Sequence, residues 1–218
     1  MIRFQSEIDK LKDPNYKPDE KHISQLLDDN HHFLTMATAS LQNYFSIYTD
    51  DRCAITIKVL NESATEVRTL FRDPVNLKKR RMSELSTFEG NGYNVKENTA
   101  FFVILDEKKE DTFFVCDDLF SLYSKKAYKN SNDNWNNFYN STAVVPISRY
   151  THAQGERHVV GFITLDNQSG GLINNQTIEY LFAIADLFYK YLIDFKSLIK
   201  LLDKNNINYD KRKKLGID

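Results

Sequence analysis

Behind Pro18, apolar residues recur every three or four positions: Ile23, Leu26, Leu27, Phe33, Leu34, Ala37, Leu41, Tyr44, Phe45 and Tyr48. That spacing draws one apolar stripe along a long helix, and Asp19 stands where its N-cap belongs. Pro14 and Pro18 interrupt what precedes it, so residues 1–18 read as an arm or linker. The period then drops to two. Cys53, Ile55, Ile57 and Val59 alternate with Ala54, Thr56 and Lys58, the pattern of a strand with one buried face. Asn61-Glu62-Ser63 turns the chain, and Glu66 to Asp73 returns as the second strand of a hairpin, ended by Pro74. A polar helix is expected over about Asn76 to Phe88, stopped at Gly90-Asn91-Gly92. Asn98 is a candidate cap for a helical turn or two reaching Leu105.

Three more strands are expected, at Thr112 to Cys116, Thr142 to Ile147 and Val159 to Leu165. All are apolar on both faces, whereas a sheet wetted on one side alternates. The sheet is therefore expected to be covered twice, by helices beneath and by loops or a ligand above. Between the first two of these strands, Leu119 to Asn140 is rich in Asn, Ser, Lys and Tyr. Loops of that length inside a compact domain are usually functional or mobile. The chain closes on a helix from about Asn175 to Asp203, with Ile178, Leu181, Phe188, Leu192 and Phe195 in one stripe. Ile184, Leu187, Tyr191 and Leu198 widen its apolar girth beyond what one sheet needs. A second copy of the chain is the expected partner, packing the two long helices into a bundle through Leu41, Tyr44, Leu181, Phe188, Leu192 and Phe195; the alternative is that the two helices satisfy each other within one chain. The expected fold class is α+β: a central antiparallel sheet of about five strands, long N- and C-terminal helices on one face, and loops and short helices on the other. One domain is expected over 19–206, followed by a polar, basic tail at 207–218.

Composition removes several functions. The 29 Lys and Arg nearly balance the 30 Asp and Glu. That leaves no basic excess to track phosphates, so nucleic acid is not an expected partner. The runs Lys78-Lys79-Arg80-Arg81 and Lys211-Arg212-Lys213-Lys214 are short and read as a solvated helix face and a tail. Two cysteines, Cys53 and Cys116, make neither a disulfide framework nor a CxxC metal site, which fits a reducing compartment. The N-terminus is too polar for a signal peptide and no run of about 18 apolar residues occurs. A cytoplasmic location without a membrane segment is expected, with a membrane-anchored parent left open. His31 and His32 point apart on a helix, so they form no metal pair. No P-loop, GxSxG or HExxH occurs, which gives the common enzyme classes no foothold.

Three segments carry a family likeness. Phe113-Phe114-Val115-Cys116-Asp117-Asp118-Leu119 looks like the third strand of GAF domains, which often ends in an acidic residue at the pocket rim. Tyr139-Asn140-Ser141-Thr142-Ala143-Val144-Val145-Pro146-Ile147 resembles the family's Y-x-S strand that ends in Pro-Ile. Val160-Gly161-Phe162-Ile163-Thr164-Leu165-Asp166 resembles the strand that follows, with its glycine and closing aspartate. The resemblance spans about Asp19 to Asp203. A proline there belongs at an edge, an end or a bulge, and Gly161 admits a close approach to the sheet.

What the resemblance implies is a regulatory domain that binds a small molecule, dimerises and has no catalytic activity. The familiar ligands of the family fit poorly. Phe102-Val103-Ile104-Leu105-Asp106-Glu107 repeats half of the cyclic-nucleotide signature, yet precedes the third strand instead of opening the last helix. Cys116 is the one candidate for bilin attachment, and strand cysteines are usually small core residues. No histidine is placed for haem, and no cofactor or metal is expected. The candidate pocket lies above the sheet under the 119–140 loop. Tyr123, Tyr128, Trp135, Phe138 and Tyr139 would form its wall, with Phe114, Cys116, Asp117, Asp118 and Ser141 at the strand ends. Arg149 is the one positive charge in view. A second reading has these aromatics plugging the space, leaving a ligand-free dimerisation and signal-transmission module. A third is the family's one enzyme, a free methionine sulfoxide reductase. It needs clustered thiols within reach of one another, whereas Cys53 and Cys116 fall on different strands.

Overall fold

The computed structural model describes residues 4–76, 92–106, 112–150 and 157–207. The first long helix, α2 (Glu20–Tyr48), begins where the sequence places it, with the Asp19 carboxylate accepting from the Lys21 N–H. Its counterpart α5 (Asn175–Lys204) is capped by Asn174, whose side chain accepts from the Thr177 N–H. The two run antiparallel on one face of the sheet. Tyr44 stacks on Tyr180 at 4.8 Å near one end, and Phe33 meets Tyr191 at 5.3 Å further along. Inside this layer the Tyr191 hydroxyl donates to the buried Asn30 side chain.

The described residues form one sheet of six strands, not five: β1 (Ala54–Leu60), β2 (Glu66–Arg72), β3 (Tyr93–Asn94), β4 (Phe114–Cys116), β5 (Ser141–Tyr150) and β6 (Arg157–Asn167). Their spatial order is β3-β2-β1-β6-β5-β4, and every pair is antiparallel. The additional strand β3 is two residues paired with Glu66 and Val67. Two residues carry no readable period. The segments bearing the family likeness are the three neighbours β4, β5 and β6. Pro146 sits on β5 beyond the residues that pair with β4, which suits a residue with no N–H to offer.

Ile55 and Ile57 of β1, Ala143, Val145 and Ile147 of β5, and Ile163 and Leu165 of β6 point to the long helices and build the main core with them. Leu181, Phe188, Leu192 and Phe195 are buried in that same core. The helix stripe expected to face a second chain is thus used within this one, and of the six residues only Tyr44 is exposed. The helix expected over about Asn76 to Phe88 lies, apart from Asn76, outside the described residues. On the other face sit α3 (Thr99–Leu105), capped as expected by Asn98, and α4 (Leu119–Ser124).

The stretch read from its prolines as an arm folds back. Phe4–Leu11 is a helix, α1, with Phe4, Ile8 and Leu11 buried. The Phe4 ring lies 5.7 Å from both Tyr191 and Phe195 of α5. Three apolar residues give too short a stripe to outweigh two prolines in a sequence reading. Glu7 comes with this helix and is 2% exposed. The Tyr16 hydroxyl donates to it at 2.8 Å, and His22 Nε2 lies 3.1 Å away. The hydrogen bond to the Glu7 carboxylate, followed by burial, raises the Tyr16 phenol above its usual range. Tyr16→Phe leaves a buried carboxylate one donor short. With a half-exposed donor, the expected loss is about 1 kcal/mol in a urea titration, and an unchanged midpoint would show that α1 docks without it.

Candidate functional site

The sheet's second face is covered by α3 and α4. The register places three rows across it. Cys116, Thr142, Asp166 and Ala54 stand side by side in the first. Phe114, Val144, Thr164, Thr56 and Arg72 form the second, and Pro146, Phe162, Lys58 and Thr69 the third. Cross-strand neighbours share a face. The face is therefore apolar at β4 and β5 and polar toward β6, β1 and β2.

The polar residues are buried. Thr56 is 0%, Thr164 3%, Thr142 3%, Lys58 8% and Asp166 8% exposed. Thr142 Oγ1 donates to Asp166 Oδ1 at 2.6 Å. Lys58 Nζ donates to Thr69 Oγ1 at 3.1 Å and to the Tyr93 hydroxyl at 2.5 Å, and it lies 5.7 Å over the Phe101 ring. Thr56 and Thr164 differ. They are direct cross-strand neighbours, yet neither Oγ1 has a hydrogen-bond partner. A buried hydroxyl without a partner costs about 1–3 kcal/mol, so two side by side are a conspicuous exception in a folded core. The alternation of Thr56 and Lys58 with Ile55 and Ile57 was legible in the sequence. It reports which residues share a face, and it did not report that this face is covered.

The residues proposed from the sequence are accounted for differently. Trp135 and Tyr128 are buried with Leu119 in a small separate core, against which Phe114, Cys116, Leu122 and Tyr139 pack. Trp135 touches the rings of Tyr123, Tyr128 and Tyr139. The Asn130 amide bridges the Tyr128 and Tyr139 hydroxyls at 2.9 and 2.7 Å, and burial pushes the Tyr128 phenol well up. Tyr123 is exposed and Phe138 half-buried. The aromatics fill one another's space, although Phe114 and Cys116 do reach the sheet face.

The acidic rim serves the backbone. Asp118 caps α4, accepting from the Ser121 N–H at 3.1 Å. Asp117 accepts from the Leu172 and Ile173 N–H groups at 2.8 and 3.3 Å. Ser141 Oγ donates to Asn167 Oδ1. Arg149 lies at the exposed end of β5, 3.6 Å from Asp186 and stacked on Tyr189. Asp117→Asn keeps the shape but offers one oxygen to two donors. It is expected to lower stability by about 1–2 kcal/mol and to speed amide exchange at Leu172 and Ile173, whereas unchanged exchange would mean the loop holds itself.

The two thiols are far apart. Cys53 is buried at the start of β1, within 3.3 Å of Thr49 Oγ1, and is counted with the helix-side core. Cys116 stands on β4, three strand spacings from Ala54 in the first row, or about 14 Å. Burial raises both thiols above the usual range.

Against solved structures the likeness is to GAF domains. The GAF domain of the Acinetobacter phosphoenolpyruvate-protein phosphotransferase aligns at 11% identity over 88% of this chain and 100% of its own, with a TM-score of 0.47. The GAF region of a putative membrane protein from Geobacter sulfurreducens aligns at 16% identity over 77% of this chain and 96% of its own, with a TM-score of 0.46. The type II free methionine-R-sulfoxide reductase from Thermoplasma acidophilum aligns at 16% over 74% and 94%, with a TM-score of 0.47. At these values the activities and ligands of those proteins are theirs alone. No family model matches the sequence, and neither does any curated protein.

Proposed function

We propose that this chain is a regulatory domain that holds a small molecule against the second face of its sheet, pairs with another copy through its long helices, and carries out no chemistry of its own. The observation that carries the first part is the pair of buried, unpartnered hydroxyls of Thr56 and Thr164, at the centre of the sheet on the face that Val144 and Phe162 share. Apolar walls with a few directed polar groups are what a small-molecule site needs. The absence of catalysis is supported by the distance between the two thiols, which lie on different faces and cannot attack and resolve one another.

Pairing is supported by the outer faces of α2 and α5. Phe33, Tyr44 and Ile47 on one helix, and Tyr180 and Leu187 on the other, are exposed. Phe33, Ala37, Ser40, Tyr44 and Ile47 step by four, three, four and three, as do Tyr180, Ile184, Leu187 and Tyr191. That is the 3.5-residue repeat of helices that pack in bundles. The aromatic plug around Trp135 favours a second reading, in which the domain only dimerises and nothing binds.

The deciding experiment is to denature the purified protein and identify by mass spectrometry what it releases. A stoichiometric small molecule, lost from the Thr164→Val protein, is the expected result. Nothing released, together with a Thr164→Val protein more stable than wild type, would leave the ligand-free reading standing.

A further inference from the structure

The exposed stripe through which the long helices are proposed to pair stops part-way along them, and α1 lies where it stops. Behind Phe33 on α2, steps of three or four lead on to Asn30, Leu26 and Ile23. Beyond Tyr191 on α5 they lead to Phe195, Leu198 and Leu202. All six are buried. α1 packs along this end of the helix pair. The Phe4 ring rests on Tyr191 and Phe195, and the Leu11 carbonyl accepts from Asn205, just past the end of α5. Glu7 reaches His22 in the first turn of α2. A helix of eight residues is too short to persist in water by itself, so α1 depends on the face it covers.

The side that α1 turns inward is poorly suited to permanent docking. Its buried residues are Phe4, Glu7, Ile8 and Leu11, spaced i, i+3, i+4, i+7, so a carboxylate stands in the middle of an apolar stripe. The partners of that carboxylate are Tyr16 on the connecting segment, the half-exposed His22, and the half-exposed Lys10 at 3.4 Å. Replacing a buried ion and its partners by well-packed apolar groups is often neutral or stabilising, so Glu7 weakens the docking that its neighbours favour. The segment from Lys12 to Asp19 contains Pro14 and Pro18 and is mostly exposed, which leaves α1 free to detach without unwinding α2. On the basis of the pairing proposed above, we infer that α1 is a displaceable cover occupying the place of a partner's helix. Docked, it ends the pairing seam at Phe33 and Tyr191; displaced, it opens the rest of the seam to a second copy of the chain. The occupant is a second copy because Ile23, Leu26, Asn30, Phe195, Leu198 and Leu202 continue the pairing stripe without a break and bring no charge to it. Pairing and release of α1 are then coupled, and such coupling is reciprocal.

The test uses the full chain. In the wild type, amide exchange over residues 4–11 is expected to quicken at least threefold as the protein concentration rises through the range where dimers form. Exchange indifferent to pairing overturns the cover. The Phe4→Asp/Ile8→Asp protein, its circular dichroism that of wild type, is expected to lose protection over 4–11 and to pair at least tenfold more tightly in sedimentation equilibrium. Pairing unchanged or weakened in that protein overturns the cover. Glu7→Met, close in size and without charge, tests the opposite direction in a protein whose apolar contacts are intact. Its exchange over 4–11 is expected to slow at least threefold, with pairing no tighter than in wild type. Faster exchange would make the carboxylate an anchor and overturn the cover. Wild type and variants that stay monomeric at every concentration remove the pairing itself, whereas dimers that form without regard to α1 remove the cover alone.

Discussion

Leu192→Asp is expected to abolish the folded state, whereas Leu187→Asp is expected to fold normally and to sediment as a monomer where the wild type sediments as a dimer. The two residues are five apart on α5 and belong to opposite faces. Leu192 is 0% exposed in the core between α5 and the sheet, while Leu187 is 78% exposed. A carboxylate at 192 loses the burial of a leucine, about 2–3 kcal/mol, and adds the larger cost of an unpaired charge in an apolar core. Together these rival the whole stability of a domain this size, about 5–15 kcal/mol. The expected signature is loss of a cooperative transition by circular dichroism. At 187 the carboxylate remains in water in the isolated chain and is desolvated only on pairing. Ile47, 82% exposed on α2, provides an independent second site for the same test. A folded, monomeric Leu192→Asp protein would place the interface on the inner stripe and refute the packing described here. A dimer that persists in both Leu187→Asp and Ile47→Asp would remove the long helices from the interface.

That pair of substitutions also shows where a sequence reading fails on helices. Periodicity located α2 and α5 to within a residue at their starts, helped at α2 by Asp19, which has a local job at a helix N-terminus. The same stripe does not say whether its apolar residues meet the chain's own sheet or another molecule. Burial decided that, and it assigned Leu181, Phe188, Leu192 and Phe195 inward. The short elements were illegible for a different reason. α1 presents Phe4, Ile8 and Leu11 and β3 only two residues, so both depend on contacts with distant parts of the chain.

The most conspicuous residues of the candidate pocket fill one another's space. The 119–140 loop attracted attention because it is long and aromatic, yet Trp135, Tyr128 and Tyr139 pack on one another and Asn130 satisfies two of the phenols. Thr56 and Thr164, whose hydroxyls have no hydrogen-bond partner, lie instead in the strands. Thr56, Lys58, Thr142, Thr164 and Asp166 are scattered over more than a hundred positions of sequence, and only the register collects them. What the sequence did offer was the inference that β4, β5 and β6 are covered on both faces. That inference singles out the covered second face, since a strand apolar on one face and threonine-bearing on the other is otherwise expected to be wet.

Gly161→Ala is expected to be nearly as damaging as a charge in the core, although it adds only a methyl group. The sequence suggested that something approaches the sheet closely at this glycine, and what approaches is the sheet itself. A Cβ at 161 would stand 2.1 Å from the Lys58 carbonyl oxygen, 3.2 Å from its carbon and 3.3 Å from Val59 Cα. All three are backbone atoms, so no rotamer change relieves the overlap. The strands β1 and β6 would have to part at the seam in the middle of the sheet. Overpacking a core typically costs 1–3 kcal/mol, and with backbone as the obstacle a loss of about 3 kcal/mol or more is expected. Gly92→Ala supplies the control. The three atoms nearest its Cβ would be side-chain atoms of Arg68 and Glu66, at 3.0 to 3.1 Å, and these exposed side chains can move aside. A urea titration should separate the two substitutions clearly, and equal midpoints would mean that the seam is looser than described.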